Sequence, residues 1–250
     1  MSERMRHIIG AAALTLGLIA LMLILMLTAL HAVGTDGGLY YAEQMRAGVL
    51  PKAGICDAAL RALDGSMARY LAGDAAALVP GNPFNDREMA HMADCFKLFE
   101  LLRAVRRRLI PWAVLLITGG AWLLQDRRRA RRCAQLSPLI LIIPLGLFAL
   151  FAALHFDRAF TLFHKMLFRN DLWLLDPRTD LLIRICPESM FMHMGLRIGV
   201  YSLAAILAVS ALATALTFIR PKKKGESTWK TTTRRGPAPK RIDFGRRGTR

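Results

Sequence analysis

Hydrophobic and polar positions along this chain fall into long blocks. Residues 8–30 form an uncharged apolar run, and 136–154 form another that carries Pro138 and Pro144. A shorter run, 109–125, has Pro111 and Trp112 at one end and Gln125 at the other. The fourth, 194–218, contains a single charge, Arg197, near its start. A helix crossing a bilayer core needs roughly 20 mainly apolar residues and tolerates proline. The blocks therefore predict an all-α integral membrane protein with four transmembrane helices, occupying residues 1–220. The first run is long for the apolar part of a cleavable signal peptide, and no clean small-residue cleavage site follows, so it reads as an uncleaved anchor. No lipobox cysteine closes it, so the chain is not expected to be a lipoprotein itself.

Finer patterns lie between the blocks. Within 42–81, Leu60, Leu63, Met67, Tyr70 and Leu71 recur at helical spacing and predict a short amphipathic helix lying on the membrane or on the bundle. Pro80, Gly81, Asn82 and Pro83 signal a turn. Asn85 or Asp86 can then cap a helix running through His91 towards Arg108, with continuation into the second span left open. After the third block, helical spacing continues through His164, Asp176-Pro177-Arg178-Thr179-Asp180 reads as a turn, and Pro187-Glu188 opens the approach to the fourth span. Short helices are thus expected in both loops, with no soluble core domain. The tail, 221–250, is rich in Lys, Arg, Thr, Gly and Pro, cannot bury a core and is expected to be disordered. It would either contact anionic lipid headgroups or serve as a solvated topology determinant.

Composition sharpens the orientation. The chain is 54% hydrophobic, yet its formal charge is +17, so apolar and basic residues must be segregated. Five arginines fill the connection 126–135, Lys222, Lys223 and Lys224 open the tail, and Arg4 and Arg6 precede the first span. With four spans these segments share one side, which the distribution of Lys and Arg assigns to the cytoplasm. The loops 32–108 and 155–193 are then outside. Arg103, Arg106, Arg107 and Arg108 run against this rule, flanking the second span on the outer side. Cys56, Cys95 and Cys186 would also lie outside, an odd number that cannot all pair; whether Cys56 joins Cys95 stays open. No nucleic-acid motif accompanies the charge, and no nucleic-acid partner is expected.

Candidate chemistry centres on histidine. On a helix Glu88, His91, Asp94 and Cys95 share one face, setting a carboxylate one turn before and one turn after the imidazole. A flanking carboxylate can fix the tautomer of a general base. The plainer alternative is a polar stripe facing water. His164 lies between Phe163 and Phe168, with Asn170, Asp171 and Trp173 following, a mixture suited to the headgroup level of a bilayer or to a simple interfacial anchor. All histidines except His7 map to the outer side, an arrangement that fits a catalytic cluster or a metal site. No H-E-x-x-H or C-x-x-C pattern supports zinc, and no G-x-S-x-G supports a serine nucleophile.

Two stretches carry a resemblance. Asp86-Arg87-Glu88 with His91, Met92 and Asp94 forms the first. Phe163-His164 with Phe168, Asn170, Trp173, Leu175, Asp176, Pro177 and Asp180, followed by Pro187-Glu188, forms the second. Together they resemble the bacterial lipoprotein intramolecular transacylase family, across roughly residues 1–220. The resemblance implies movement of an acyl chain from the sn-2 oxygen of a lipoprotein's diacylglyceryl-cysteine to that cysteine's α-amine, giving the lyso form. It implies diacylated bacterial lipoproteins as substrate, membrane lipid as surroundings, the cell membrane as location, and no cofactor or metal. The family's two functional histidines correspond to His91 and His164, with His164 the preferred base and His91 its partner. Glu88 or Asp94 would orient His91, and Asn170, Trp173 and Asp176 are supporting candidates. Two positions depart from the family's pattern: His193 stands where an acid is expected and Cys95 where an aliphatic residue is usual. A non-enzymatic membrane scaffold and a metal-dependent membrane hydrolase are the rival readings.

Overall fold

The computed structural model describes residues 2–78 and 83–219. Positions 80–82 of the expected turn and the tail 221–250 lie outside the described residues. Regular structure among the described residues is entirely helical: α1 Glu3–Gly34, α2 Gly37–Arg46, α3 Leu50–Ala53, α4 Asp57–Ala72, α5 Asp86–Leu124, α6 Arg127–Leu136, α7 Leu139–Leu154, α8 Phe156–Leu167, α9 Leu181–Ile185 and α10 Glu188–Leu216. Four stretches are long and apolar enough to cross a membrane: α1, α5, α6 with α7, and α10. This is a multi-pass membrane protein.

Helices α1 and α5 run antiparallel, with Gly10 against Leu124, Gly17 against Ile117 and Gly34 against Phe99. Small residues permit this approach of one backbone to another, which is the main source of affinity between helices in lipid. A Cβ built on Gly120 would stand 2.4 Å from the Leu14 amide nitrogen. Pro111 lies inside α5 without ending it. Helix α5 is therefore one element of 39 residues, continuous from the first loop into the second span. Its apolar stretch after Arg108 is the membrane-spanning part, and the charged stretch before it projects beyond.

The connection 126–135 is a helix rather than a plain loop. Asp126 accepts hydrogen bonds from the Arg128 and Arg129 amides and so caps α6, whose arginines and alanines are good helix formers. Contacts near α6 gather the far end of the bundle. A His7 ring N–H donates to the Leu124 carbonyl at 3.0 Å, Arg131 donates to Thr217, and Ser210 donates to the Ala134 carbonyl. The start of α1, helix α6 and the end of α10 thus share one end, as four crossings require.

The opposite end carries a packed head, in which the short helices lie on the ends of the long ones, the second of the two placements expected. Leu60, Leu63, Met67, Tyr70 and Leu71 of α4 are buried as their spacing predicts. They pack with Tyr40, Val49, Ala53, Leu181, Leu182 and Ile185 from α2, the α3 turn and α9. Apolar faces of the short helices close on one another and on Val33, Met92 and Met194 of the long helices. Arg103, one of the arginines that breaks the charge rule, donates to the Leu71 carbonyl at 2.6 Å and so ties off the end of α4. All four cysteines are free, so Cys56 and Cys95 are not joined.

Candidate active site

His91 and His164 meet at the head. Their ring centroids are 6.3 Å apart, and each side chain is 8% exposed. His91 comes from the second turn of α5 and His164 from the last turn of α8, where helical spacing placed it.

His164 sits in an aromatic box. Its ring lies 4.0 Å from Phe160, 4.9 Å from Trp173 and 5.7 Å from Phe168, centroid to centroid, with Phe163 edge-on at 5.4 Å. Trp173 and Phe168 are buried walls of this box and not interfacial anchors. The Phe160 carbonyl lies 2.7 Å from His164 Nδ1 and can only accept, so Nδ1 carries the proton and Nε2 keeps its lone pair. Burial pulls His164 below its ordinary value, partly offset by that carbonyl. The result is a neutral imidazole with a fixed tautomer.

His91 is held differently. Its Nε2 lies 3.7 Å from Cys95 Sγ, while Nδ1 is buried without a hydrogen-bond partner. Burial first and the neighbouring His164 second push His91 down to about 4, against the opposing pull of Asp94. Burial also raises Cys95 to about 12, so it stands beside His91 as a neutral thiol. His91 thus offers an unpartnered buried nitrogen on a ring whose neighbour is a second neutral imidazole.

The carboxylates do not take the role assigned from the helical stripe. Glu88 is 1% exposed and accepts from the Asn85 amide at 2.8 Å and from the Leu182 amide, not from His91. Asn85 returns the bond to the Glu88 amide, completing a capping box. Asp94 is engaged by Lys97 at 3.0 Å and by the Asn170 amide at 2.8 Å. It acts on His91 by charge alone. Asn170 therefore spends its Nδ2 on Asp94 and its Oδ1 on the Leu172 amide. Asp176 is salt-bridged to Arg178 at 2.9 Å, at the turn.

These bonds form a clasp between the two loops. Asn85 Nδ2 donates to Asp180 at 2.9 Å, Glu88 receives Leu182, Arg87 reaches the Asp171 carbonyl, and Asp94 holds Asn170. Asn85 caps α5 and the other three lie in its first three turns, while all their partners lie between α8 and the end of α9. The clasp holds the segment that carries Phe168 and Trp173 over His164. Asp180, 4% exposed, is the residue that sequence reasoning did not single out as functional, although it closes the Asp176–Asp180 turn. Phe160 was also missed; its position four residues before His164 was the available signal.

The other histidines are spread out. His193 pairs with Glu43 at 2.7 Å, His31 faces Phe99, His155 faces Phe151, and His7 lies at the far end. Among the described residues no three His, Cys, Asp or Glu side chains converge as a metal-binding group.

Comparison with known proteins gives a consistent answer. The profile of a family described as lipoprotein intramolecular transacylase matches residues 15–191. No curated protein matches. Three solved structures of the membrane-integral lipoprotein intramolecular transacylase from Bacillus cereus share the fold, each 24% identical and covering 86% of this chain. A variant with one histidine replaced by arginine gives a TM-score of 0.64 over 91% of its own length. A second structure gives 0.62 over 95%, and a variant with a histidine replaced by alanine gives 0.61 over 93%.

Proposed function

The chain belongs to the lipoprotein intramolecular transacylase family, a family of acyltransferases, and on that premise we propose that it moves the sn-2 acyl chain of a diacylglyceryl-cysteine onto the same cysteine's α-amine. The observation that carries the reading is the buried pair of neutral imidazoles, one with a fixed free Nε2 and one with a free Nδ1. An ordinary α-amine has a pKa near 8, so a neutral histidine can take its proton at modest cost. Once the ammonium proton has been lost to solvent, His164 Nε2 accepts a second proton from the nitrogen as the neutral amine attacks the ester carbonyl. The carbon–nitrogen bond forms, negative charge gathers on the carbonyl oxygen, and the carbon–oxygen bond to glycerol breaks. His91 Nδ1, protonated when the Cys95 thiol donates to Nε2, is placed to hydrogen-bond the oxyanion. The proton taken from nitrogen passes to the departing glycerol oxygen. Ester and amine become amide and hydroxyl, with no co-reactant. Both reacting groups belong to one molecule, so orientation supplies much of the rate. The aromatic box excludes water, and the clasp residues Glu88, Asp94 and Asn170 position the walls.

The substrates are diacylated lipoproteins, and the site faces the outer leaflet of a bacterial cytoplasmic membrane with both termini inside. Shared placement of the chain's start, the arginines of α6 and the end of α10 supports this orientation. The test is tandem mass spectrometry of lipoprotein N-terminal peptides from a host that makes only diacylated forms. N-acylated, monoacylglyceryl cysteine is expected with the natural chain and not with His91→Ala or His164→Ala. Unchanged diacylglyceryl peptides alongside folded, membrane-inserted protein would refute the reading.

A further inference from the structure

A second charged cluster lies apart from the histidine pair. Glu43 of α2 is 1% exposed and gathers three donors: Arg46 at 2.7 Å and Arg197 at 3.2 Å on one oxygen, and His193 at 2.7 Å on the other. Burial alone would raise the Glu43 carboxyl, but His193, Arg197 and Arg46 outweigh it and hold it below the ordinary range, so it is ionised. One carboxylate against two guanidiniums leaves a net positive charge. Each guanidinium has five N–H donors and gives Glu43 only one, so most stay available.

Beside this cluster is a cavity of about 320 Å³, lined by the same four residues and by Leu196, Val200 and Tyr201. It shares no lining residue with the histidine site. His193, Leu196, Arg197, Val200 and Tyr201 are spaced three and four apart and so form one stripe of α10. The stripe is basic where α10 meets the head and apolar further along the span. Leu196, Val200 and Tyr201 are 67%, 54% and 51% exposed, uncovered by protein on the flank that faces lipid. A charged residue such as Arg197 inside an apolar span is costly, and such residues commonly mark a binding function.

We propose that this cavity holds an anionic phospholipid from the leaflet at the head end, its phosphate on Arg46 and Arg197 and its acyl chain along Leu196 and Val200. Charge and polarity select the occupant. A net positive site disfavours the α-ammonium of a lipidated cysteine, so this is not a second seat for the reacting end of the substrate. A free phosphate would satisfy the guanidiniums but leave the apolar stripe unused, whereas a phospholipid engages both. Buried Glu43 fixes the two arginines in place before the lipid arrives, lowering the ordering cost of binding.

The experiment is native mass spectrometry of the delipidated full-length protein in detergent, titrated separately with dioleoylphosphatidylglycerol, dioleoylphosphatidylcholine and inorganic phosphate. One phosphatidylglycerol is expected to bind at least about tenfold tighter than phosphatidylcholine. Arg46→Gln should weaken it by about the same factor through charge. Leu196→Trp should do so by filling the cavity while leaving the ion cluster intact, and it decides the matter should the arginine variant not fold. Equal binding of both lipids, or unaltered phosphatidylglycerol binding in a folded variant of either kind, would overturn the proposal. Inorganic phosphate binding as tightly as phosphatidylglycerol would also overturn it, in favour of a free anion.

Discussion

Replacing Glu88 with alanine separates a structural carboxylate from one that orients a catalytic histidine. Glu88 accepts two backbone amides, from Asn85 in its own helix cap and from Leu182 across the clasp. Hydrogen bonds to an ionised group contribute about 1.5–3 kcal/mol each, and buried donors left unpaired add to the loss. Part of the Asn85 bond can be recovered by water because Asn85 is exposed, so the estimate is weighted to the Leu182 end and comes to about 3 kcal/mol. Local opening of the second loop should then become about a hundredfold more frequent. Hydrogen-exchange mass spectrometry of peptides covering residues 169–185 reads this directly, with peptides from α1 as internal control. Glu88→Gln, which keeps one accepting oxygen of two, should fall between. Transacylation should decline in step with the opening and recover partly at lower temperature. Abolished activity with unchanged exchange in both variants would refute the clasp and return Glu88 to a direct role on His91.

The pH response follows from burial. His91 is held down to about 4 in the folded protein against about 6.5 unfolded. Its contribution to stability is therefore complete above pH 6.5 and is lost as the pH falls towards 4. Thermal unfolding should show a loss of about 1–2 kcal/mol between pH 7 and pH 5, reduced in His91→Phe; an equal loss in both would count against it. Ring resonances of His164 in labelled protein should titrate below 6.5, and a titration above that value would contradict the neutral-base assignment. In the bundle, Gly120→Ala must push against the Leu14 backbone and should destabilise by about 1–3 kcal/mol, whereas Gly119→Ala, with open space around it, should be nearly silent. Paired thermal melts in detergent compare the two, and equal effects would mean that α1 and α5 are not in backbone contact.

Features that are local in the chain are the legible ones. Four apolar helices follow from local composition, whereas the start of α5 at Asp86, well before its apolar run, depends on the Asn85 cap. Helix α10 begins at Glu188 because Pro187 ends the preceding chain, several residues before its apolar run. Helix α2 has no counterpart among the expected elements; the Asp36 side chain caps it at the Leu39 amide. Arginine-rich α6 reads from sequence as a charged connection, and its helix rests on the Asp126 cap. Both histidines were identifiable from the motifs around them. The clasp was not, because Asn85 and Asp180 are 95 positions apart and their hydrogen bond has no local signature. For the same reason Glu88 and Asp94 were assigned to the nearest imidazole on their own helix, when their partners come from a distant loop.

The clasp also dictates when in synthesis the site can come into being. Helix α5 is made early, and His91 stands at its exposed end while the rest of the chain is still on the ribosome. His164 follows, but the acceptor for Asn85 and the backbone donor for Glu88 are residues 180 and 182, immediately before the last span. A chain arrested before them possesses both histidines, three spans and the bonds to Asp171 and Asn170, but lacks the two that bury Asn85 and Glu88 against residues 180 and 182. Completion of the clasp is thus tied to synthesis of the segment that leads directly into the final helix.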